Sequence, residues 1–314
     1  LGLNVFKKYI YMKTVLITGS NGLLGQKLVH QLIKNPDYKL IATSKGKNRI
    51  SSAIDFIYEE LDITSITQVK NVFEKYQPDV LINTAAMTNV DACEDDKEGC
   101  WTMNVNAVEY LLAACEKHNT HLIHLSTDFV FDGENGPYSE SDTPKPLSYY
   151  GESKFASEKV LQNSEYKNWA IARTIIVYGL VEQMSRSNIV LWAKGALEKG
   201  DPINVVDDQY RSPTLATDLA NGCILIADKQ AKGVYHLSGK DVMSILELVN
   251  RVADFFNLDK SSISAIKSIT LNQTAKRPPK TGFILDKAIR ELGYNPATFE
   301  EGLAIVSQEL ELVK

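Results

Sequence analysis

Hydrophobic positions recur along this chain with two alternating periods. Residues 14–18 (TVLIT) form a short β-branched apolar run that stops at Gly19, the pattern of a buried strand. Residues 23–33 then place Leu24, Leu28 and Leu32 on one face with Val29 beside it, a helical spacing that Pro36 ends. The alternation continues. Strands are predicted at 39–43, 55–58, 80–83, 121–125, 170–174 and 234–237, and helices at 66–76 (closed by Pro78), 98–118 and 151–162. Such an order predicts an α/β fold, a doubly wound parallel sheet with helices on both faces. Ligands of these sheets bind beyond the carboxyl ends of the strands, near the point where strand order reverses. Function is therefore sought in the residues that follow each strand.

Beyond Gly179 the rhythm breaks down. Segments 181–200 and 240–300 read as helical or irregular, with the stretch KRPPK at 276–280. The expectation is a first domain over 12–180, completed by about 206–239, and a smaller C-terminal domain from 181–205 and 240–314. Residues 1–11 (LGLNVFKKYIY) are basic and aromatic but lack a signal-peptide core, and they are set aside as an upstream extension.

Composition narrows the function classes. The 314 residues carry a net charge of -5, which argues against a nucleic-acid partner. No apolar run approaches the roughly 18 residues of a membrane span. Cys93, Cys100, Cys115 and Cys223 lack metal-finger spacing and read as reduced thiols of a cytoplasmic protein, monomeric or homodimeric.

The first strand runs into Gly19, Ser20, Asn21, Gly22, Leu23, Leu24 and Gly25. Gly19 permits a tight turn, Gly22 lets backbone amides approach a pyrophosphate, and Gly25 lets the helix pack closely on the strand. The helix N-terminus then attracts the phosphate. In this position the loop predicts a dinucleotide site of the Rossmann type. The second strand ends in Ser44, Lys45, Gly46, Lys47, Asn48 and Arg49, with no acid for a ribose 2′-hydroxyl and three cations for a 2′-phosphate. NADP is favoured, and NAD stays open. Asp62, followed by Ile63, is a candidate acceptor for the adenine amino group. Ala85, Ala86 and Met87 follow the fourth strand, where small residues would let the backbone lie against the cofactor.

Tyr150 and Lys154 are four residues apart at the start of a helix, hence on one face. A tyrosine is a weak acid at its ordinary pKa near 10. A neighbouring ammonium favours the phenolate, so Lys154 is expected to lower it and to hold the nicotinamide ribose. Ser126 and Thr127, directly after the fifth strand, are both placed to polarise a carbonyl oxygen. Asn104 on the long helix is expected to position Lys154 through water. Arg211 and Arg277 are candidate partners for a diphosphate. The acids Asp91, Glu94, Asp95 and Asp96 read as favourable charges at a helix N-terminus, and no metal site is assigned.

Taken in order from about Lys13, the strings TGSNGLLG, NTAAMTNVDACE, STDFVFDGENGPYSESDTPKPLSYYGESK, RTIIVYG, VVDDQYRSPT, GVYHLSG and RPPKTGFILD resemble the dTDP-4-dehydrorhamnose reductase family. These are extended short-chain dehydrogenases that act on nucleotide-linked sugars. The resemblance implies Thr127 as the catalytic hydroxyl and Tyr150 with Lys154 as the catalytic pair. It also puts Asp128 beside the substrate. The implied reaction is NAD(P)H-dependent reduction of the 4-keto group of a dTDP-6-deoxy-hexulose. The chain departs from the family where the sugar is expected, with Ile176 in place of a frequent Trp and Arg211 in place of a frequent Gly. Some members form a magnesium-linked dimer through glutamates, which are not placed here, so Mg2+ stays open. Two alternatives remain: a nucleotide-sugar epimerase or dehydratase, and a non-catalytic NADP-binding subunit like the regulatory subunit of methionine adenosyltransferase, a branch that resembles this family.

Overall fold

Strands buried on both faces explain the near-continuous apolar runs. In β1 (Lys13–Thr18), Val15 and Ile17 enter one core and Leu16 enters the other, all at 0% exposure. The same alternation separates Val80 and Ile82 from Leu81, and Ile123 from Leu122. The computed structural model describes residues 12–51 and 56–312. Residues 1–11 and Asp55 of the predicted third strand lie outside the described residues.

The chain continues with β2 (Tyr38–Ser44), β3 (Ile57–Glu60), β4 (Val80–Asn83), β5 (His121–Thr127) and β6 (Trp169–Thr174). Later strands are β7 (Val177–Tyr178), β8 (Ile203–Val206), β9 (Tyr210–Arg211), β10 (Thr214–Leu215), β11 (Gly233–His236), β12 (Met243–Ser244) and β13 (Ile263–Ile266). Seven of them form one parallel sheet in the order β11-β6-β5-β4-β1-β2-β3. The order reverses between β1 and β4, which is where a doubly wound sheet opens its ligand crevice. The fold class expected from the sequence is the one observed.

The helices are α1 (Leu23–Leu32), α2 (Ile66–Tyr76), α3 (Val90–Asp95), α4 (Lys97–Trp101), α5 (Ala107–His118), α6 (Tyr149–Asn163), α7 (Ile189–Lys199), α8 (Ala216–Lys229), α9 (Ile245–Phe256), α10 (Asp286–Leu292) and α11 (Phe299–Leu312). The single long helix expected at 98–118 is interrupted by a π-helical turn, Thr102–Asn106, between α4 and α5. Asp96 caps α4, its carboxylate accepting from the Gly99 amide at 2.8 Å. A separate apolar cluster joins Val205, Leu248, Val252, Leu303 and Val306, drawn from β8, α9 and α11.

Candidate active site

The glycine loop is built by two close approaches. Gly19 has φ +70, and a Cβ there would lie 2.8 Å from the Ala85 amide nitrogen. A Cβ on Gly25 would lie 2.3 Å from the Gly19 carbonyl oxygen, so α1 sits on the loop backbone itself. At the head of α1, Gly22 offers no side-chain cap and the first turn holds no acid. That end is left for an external anion. The Ser20 hydroxyl is buried without a protein partner among the described residues. These features fit a dinucleotide pyrophosphate. Gly25→Ala is expected to weaken binding of a nicotinamide dinucleotide, added as NADPH or NADH, at least tenfold in a fluorescence titration. Unchanged affinity would separate the loop from the cofactor.

On one side of this loop, Asn21, Ser44, Lys45, Arg49, Asp62, Ile63 and Ala85 line a cleft with Gly19 and Gly22. Asn21 braces it, its amide donating to the Lys47 carbonyl and its oxygen accepting from the Arg49 amide, both at 2.9 Å. Lys47 thus contributes its backbone. Asp62, expected to meet an adenine, pairs with Lys45 at 2.8 Å and takes the Thr64 hydroxyl at 2.7 Å.

On the other side a cleft of about 640 Å³ brings together Leu23, Leu24, Ala86, Thr127, Asp128, Tyr150, Lys154 and Ile176. Ser148 caps α6, accepting from the Gly151 amide, and so sets Tyr150 in the first turn. The ring packs edge-on against Phe129 at 5.7 Å. Burial pushes the Tyr150 phenol well above its ordinary pKa; the Thr127 hydroxyl opposes this, and Asp128 adds to it. The expected lowering by Lys154 is not found, because the ammonium lies 3.2 Å from His124 Nε2 instead. Burial lowers Lys154 to about 8, against an opposing pull from Glu158.

β5 runs two residues beyond the predicted 121–125, so Ser126 and Thr127 are its last two residues, and their hydroxyls have different roles. Ser126 donates to Glu158 Oε1 at 2.6 Å within a buried network that includes Arg173. Thr127 accepts from the Phe129 amide at 3.2 Å and donates to Asp128 at 3.1 Å, beside Tyr150.

Four predicted site residues do not line either cleft. Met87 and Asn104 bind each other: the Met87 amide donates to Asn104 Oδ1 at 2.8 Å, and Asn104 Nδ2 donates to the Met87 carbonyl at 3.0 Å. Asn104 also donates to Ser153, not to Lys154, and the π turn aims it there. Arg211 is 2% exposed, with Nε 3.6 Å from Asp128 and Nη1 donating to the Tyr210 carbonyl at 2.8 Å. A buried carboxylate needs a counter-charge, and Arg211 supplies it. Arg277 grips Asp91 at 2.7 and 3.2 Å. Conversely, Met184, Ser185, Arg186 and Ser187 line the larger cleft and escaped the sequence reading. The available signal was Asn188, which caps α7 and bonds the Gly179 carbonyl at 2.7 Å. Ile176 takes φ +30, a strained value for a β-branched residue, at the cleft wall.

The family model described as the RmlD substrate binding domain matches residues 12–312. This chain belongs to that family. The dTDP-4-dehydrorhamnose reductase of Aggregatibacter actinomycetemcomitans is 32% identical over 304 residues, 93% of this chain and 97% of its own. Methionine adenosyltransferase 2 subunit beta of Danio rerio is 31% identical over 275 residues, 86% of this chain and 82% of its own. The solved dTDP-4-dehydrorhamnose reductase of Bacillus anthracis, in complex with NADP, superposes with a TM-score of 0.82 at 28% identity, covering 95% of this chain and 99% of that one. The chain therefore sits among oxidoreductases with nucleotide-sugar reductase relatives. Among the described residues no three His, Cys, Asp or Glu gather as a metal cluster, and no helix is long and apolar enough to cross a membrane.

Proposed function

We propose that this chain is an NADPH-dependent reductase of the 4-keto group of a dTDP-6-deoxy-hexulose. The observation that carries the reading is Tyr150 and Thr127 side by side in a cleft continuous with the glycine loop. The loop residues Gly19 to Gly25 would hold the pyrophosphate, and Lys45 with Arg49 the ribose 2′-phosphate. The nicotinamide, when bound, supplies the hydride. The Tyr150 phenol is protonated at neutral pH, and the alkoxide that forms on the reduced carbonyl is the stronger base, so the proton can pass to that oxygen. Thr127, whose single hydroxyl proton points to Asp128, would turn it to that oxygen, and Lys154 brings positive charge to the same face of α6. The separate apolar cluster of β8, α9 and α11, with segments 181–205 and 240–314, would carry the sugar nucleotide.

Oxidation of NADPH in the presence of a dTDP-4-keto-6-deoxy-L-hexulose tests the substrate. No oxidation above background removes it. The pH profile tests the roles. Lys154 is charged below its value of about 8 and loses its proton above it. The expected kcat/KM is level below about pH 8 and falls about tenfold per unit above. A profile level to pH 10 would show that the ammonium is not required.

The subunit beta relative favours a second reading, a dinucleotide-binding regulatory subunit. A stable protein partner in pull-down, with no NADPH oxidation on any ketosugar, would select it.

A further inference from the structure

His124 lies on β5 behind Lys154, 1% exposed and outside the cleft wall. Its Nε2 is 3.2 Å from Lys154 Nζ and 3.0 Å from Ser157 Oγ, and its Nδ1 is 3.0 Å from Asn83 Nδ2. Asn83 Oδ1 accepts from the Thr18 hydroxyl at 2.6 Å. Burial and the nearby Lys154 hold the imidazole well below its ordinary pKa, so the ring is neutral.

A neutral imidazole has one N–H and one lone pair, whereas an ammonium has only donors. A charged Lys154 therefore requires the lone pair at Nε2, and the ring proton must sit on Nδ1, facing Asn83. A carboxamide presents oxygen and nitrogen in nearly the same shape, so Asn83 meets this by exchanging the two, Oδ1 turned to the ring and Nδ2 to Thr18, the reverse of the orientation in the structure. The Ser157 hydroxyl donates to the Lys154 carbonyl at 2.7 Å and so takes no share of the lone pair, while its oxygen is the acceptor that the opposite tautomer, Nε2–H, would use. The other groups acting on Lys154 are Glu158, already engaged by Arg173 and Ser126, and Cys100.

We propose that His124 is a positioning residue for Lys154: its Nε2 accepts from the ammonium and keeps that charge in place, while Asn83 selects the ring tautomer that makes this contact. The role rests on the reading of Lys154 as the cation that serves Tyr150.

Two measurements on the folded chain need no substrate. Ring nitrogen shifts of His124 in the unmodified protein should report Nδ1–H and an unprotonated Nε2. The opposite tautomer overturns the proposal. The Lys154 side-chain titration, assigned by its loss in Lys154→Met, should move acidward by about one pH unit, a tenfold change in its proton affinity, in His124→Phe. His124→Gln, which restores a carbonyl acceptor, should recover most of the shift. Titrations unmoved in both variants, or equally moved in both, overturn the proposal. Where the sugar is turned over, the alkaline limb should follow the titration. A chain that reduces no ketosugar yet shows these shifts retains the role of His124 and loses the proposed reaction. Turnover with an unmoved titration does the reverse.

Discussion

Tyr150→Phe is expected to lower kcat by about 10²- to 10⁴-fold while leaving the fold intact, the range for loss of a positioned proton donor. The ring contacts survive the change. Phe keeps the edge-on packing against Phe129 and the burial beside Cys93 and Cys100. Only the hydroxyl is lost, and with it the group that burial keeps protonated. KM for NADPH should stay within a few fold, because the glycine loop lies on a different element. Steady-state kinetics with a melting curve separate these effects. A rate unchanged within a factor of two would assign proton delivery to another group, and Thr127 would be the next to test.

The second large effect concerns stability. Glu158 and Arg173 are 0% and 2% exposed, joined by Nε–Oε1 at 2.9 Å and Nη2–Oε2 at 2.6 Å. Ser126 completes the carboxylate, and the guanidinium lies 5.1 Å over the Phe131 ring. Two ions taken out of water are tolerable only while each satisfies the other. Glu158→Leu strands a buried guanidinium and is expected to cost about 3–5 kcal/mol of unfolding free energy in urea denaturation. Arg173→Met should cost a similar amount, and the double replacement should cost less than either single change, because no unpaired charge remains. Strictly additive losses would mean that the pair is not coupled. Since Glu158 also raises the Lys154 pKa, the single Glu158 variant, where it folds, should lose activity at lower pH than the parent.

These buried polar groups explain an apparent weakness in the sequence pattern. A solvent-covered helix is read by its apolar stripe, yet the buried positions of α6 are Tyr150, Gly151, Ser153, Lys154, Ser157, Glu158 and Leu161. The stripe facing inward is mostly polar, so periodicity reports little about which side is covered. Where local pattern and burial disagree in this way, function is the usual cause. The Tyr150–Lys154 spacing identified the face nonetheless, because residues four apart share a helix side whatever their polarity.

The arginines show the opposite limit. Arg211 and Arg277 looked like phosphate partners because guanidinium chemistry suits phosphate. That chemistry suits carboxylates equally well. Asp128 is buried and pairs with Arg211, and Asp91 sits far back in the chain to meet Arg277. Only the three-dimensional proximity of residues widely separated in sequence decides which anion an arginine meets. The same holds for Asn104, which a π turn rotates onto Met87 and Ser153.

By itself the sequence determined the parallel sheet, its strand–helix order, the glycine loop after β1 and the Tyr150–Lys154 pair, because each rests on spacing within one element or one turn. The tertiary structure decided the rest. It gave Ser126 to Glu158 and left Thr127 beside Tyr150, turned Lys154 toward His124, and put Ile176 and residues 184–187 in the cleft lining. Those outcomes depend on which buried donors and acceptors find each other across the sheet, and an unpaired one costs too much to be left to local preference.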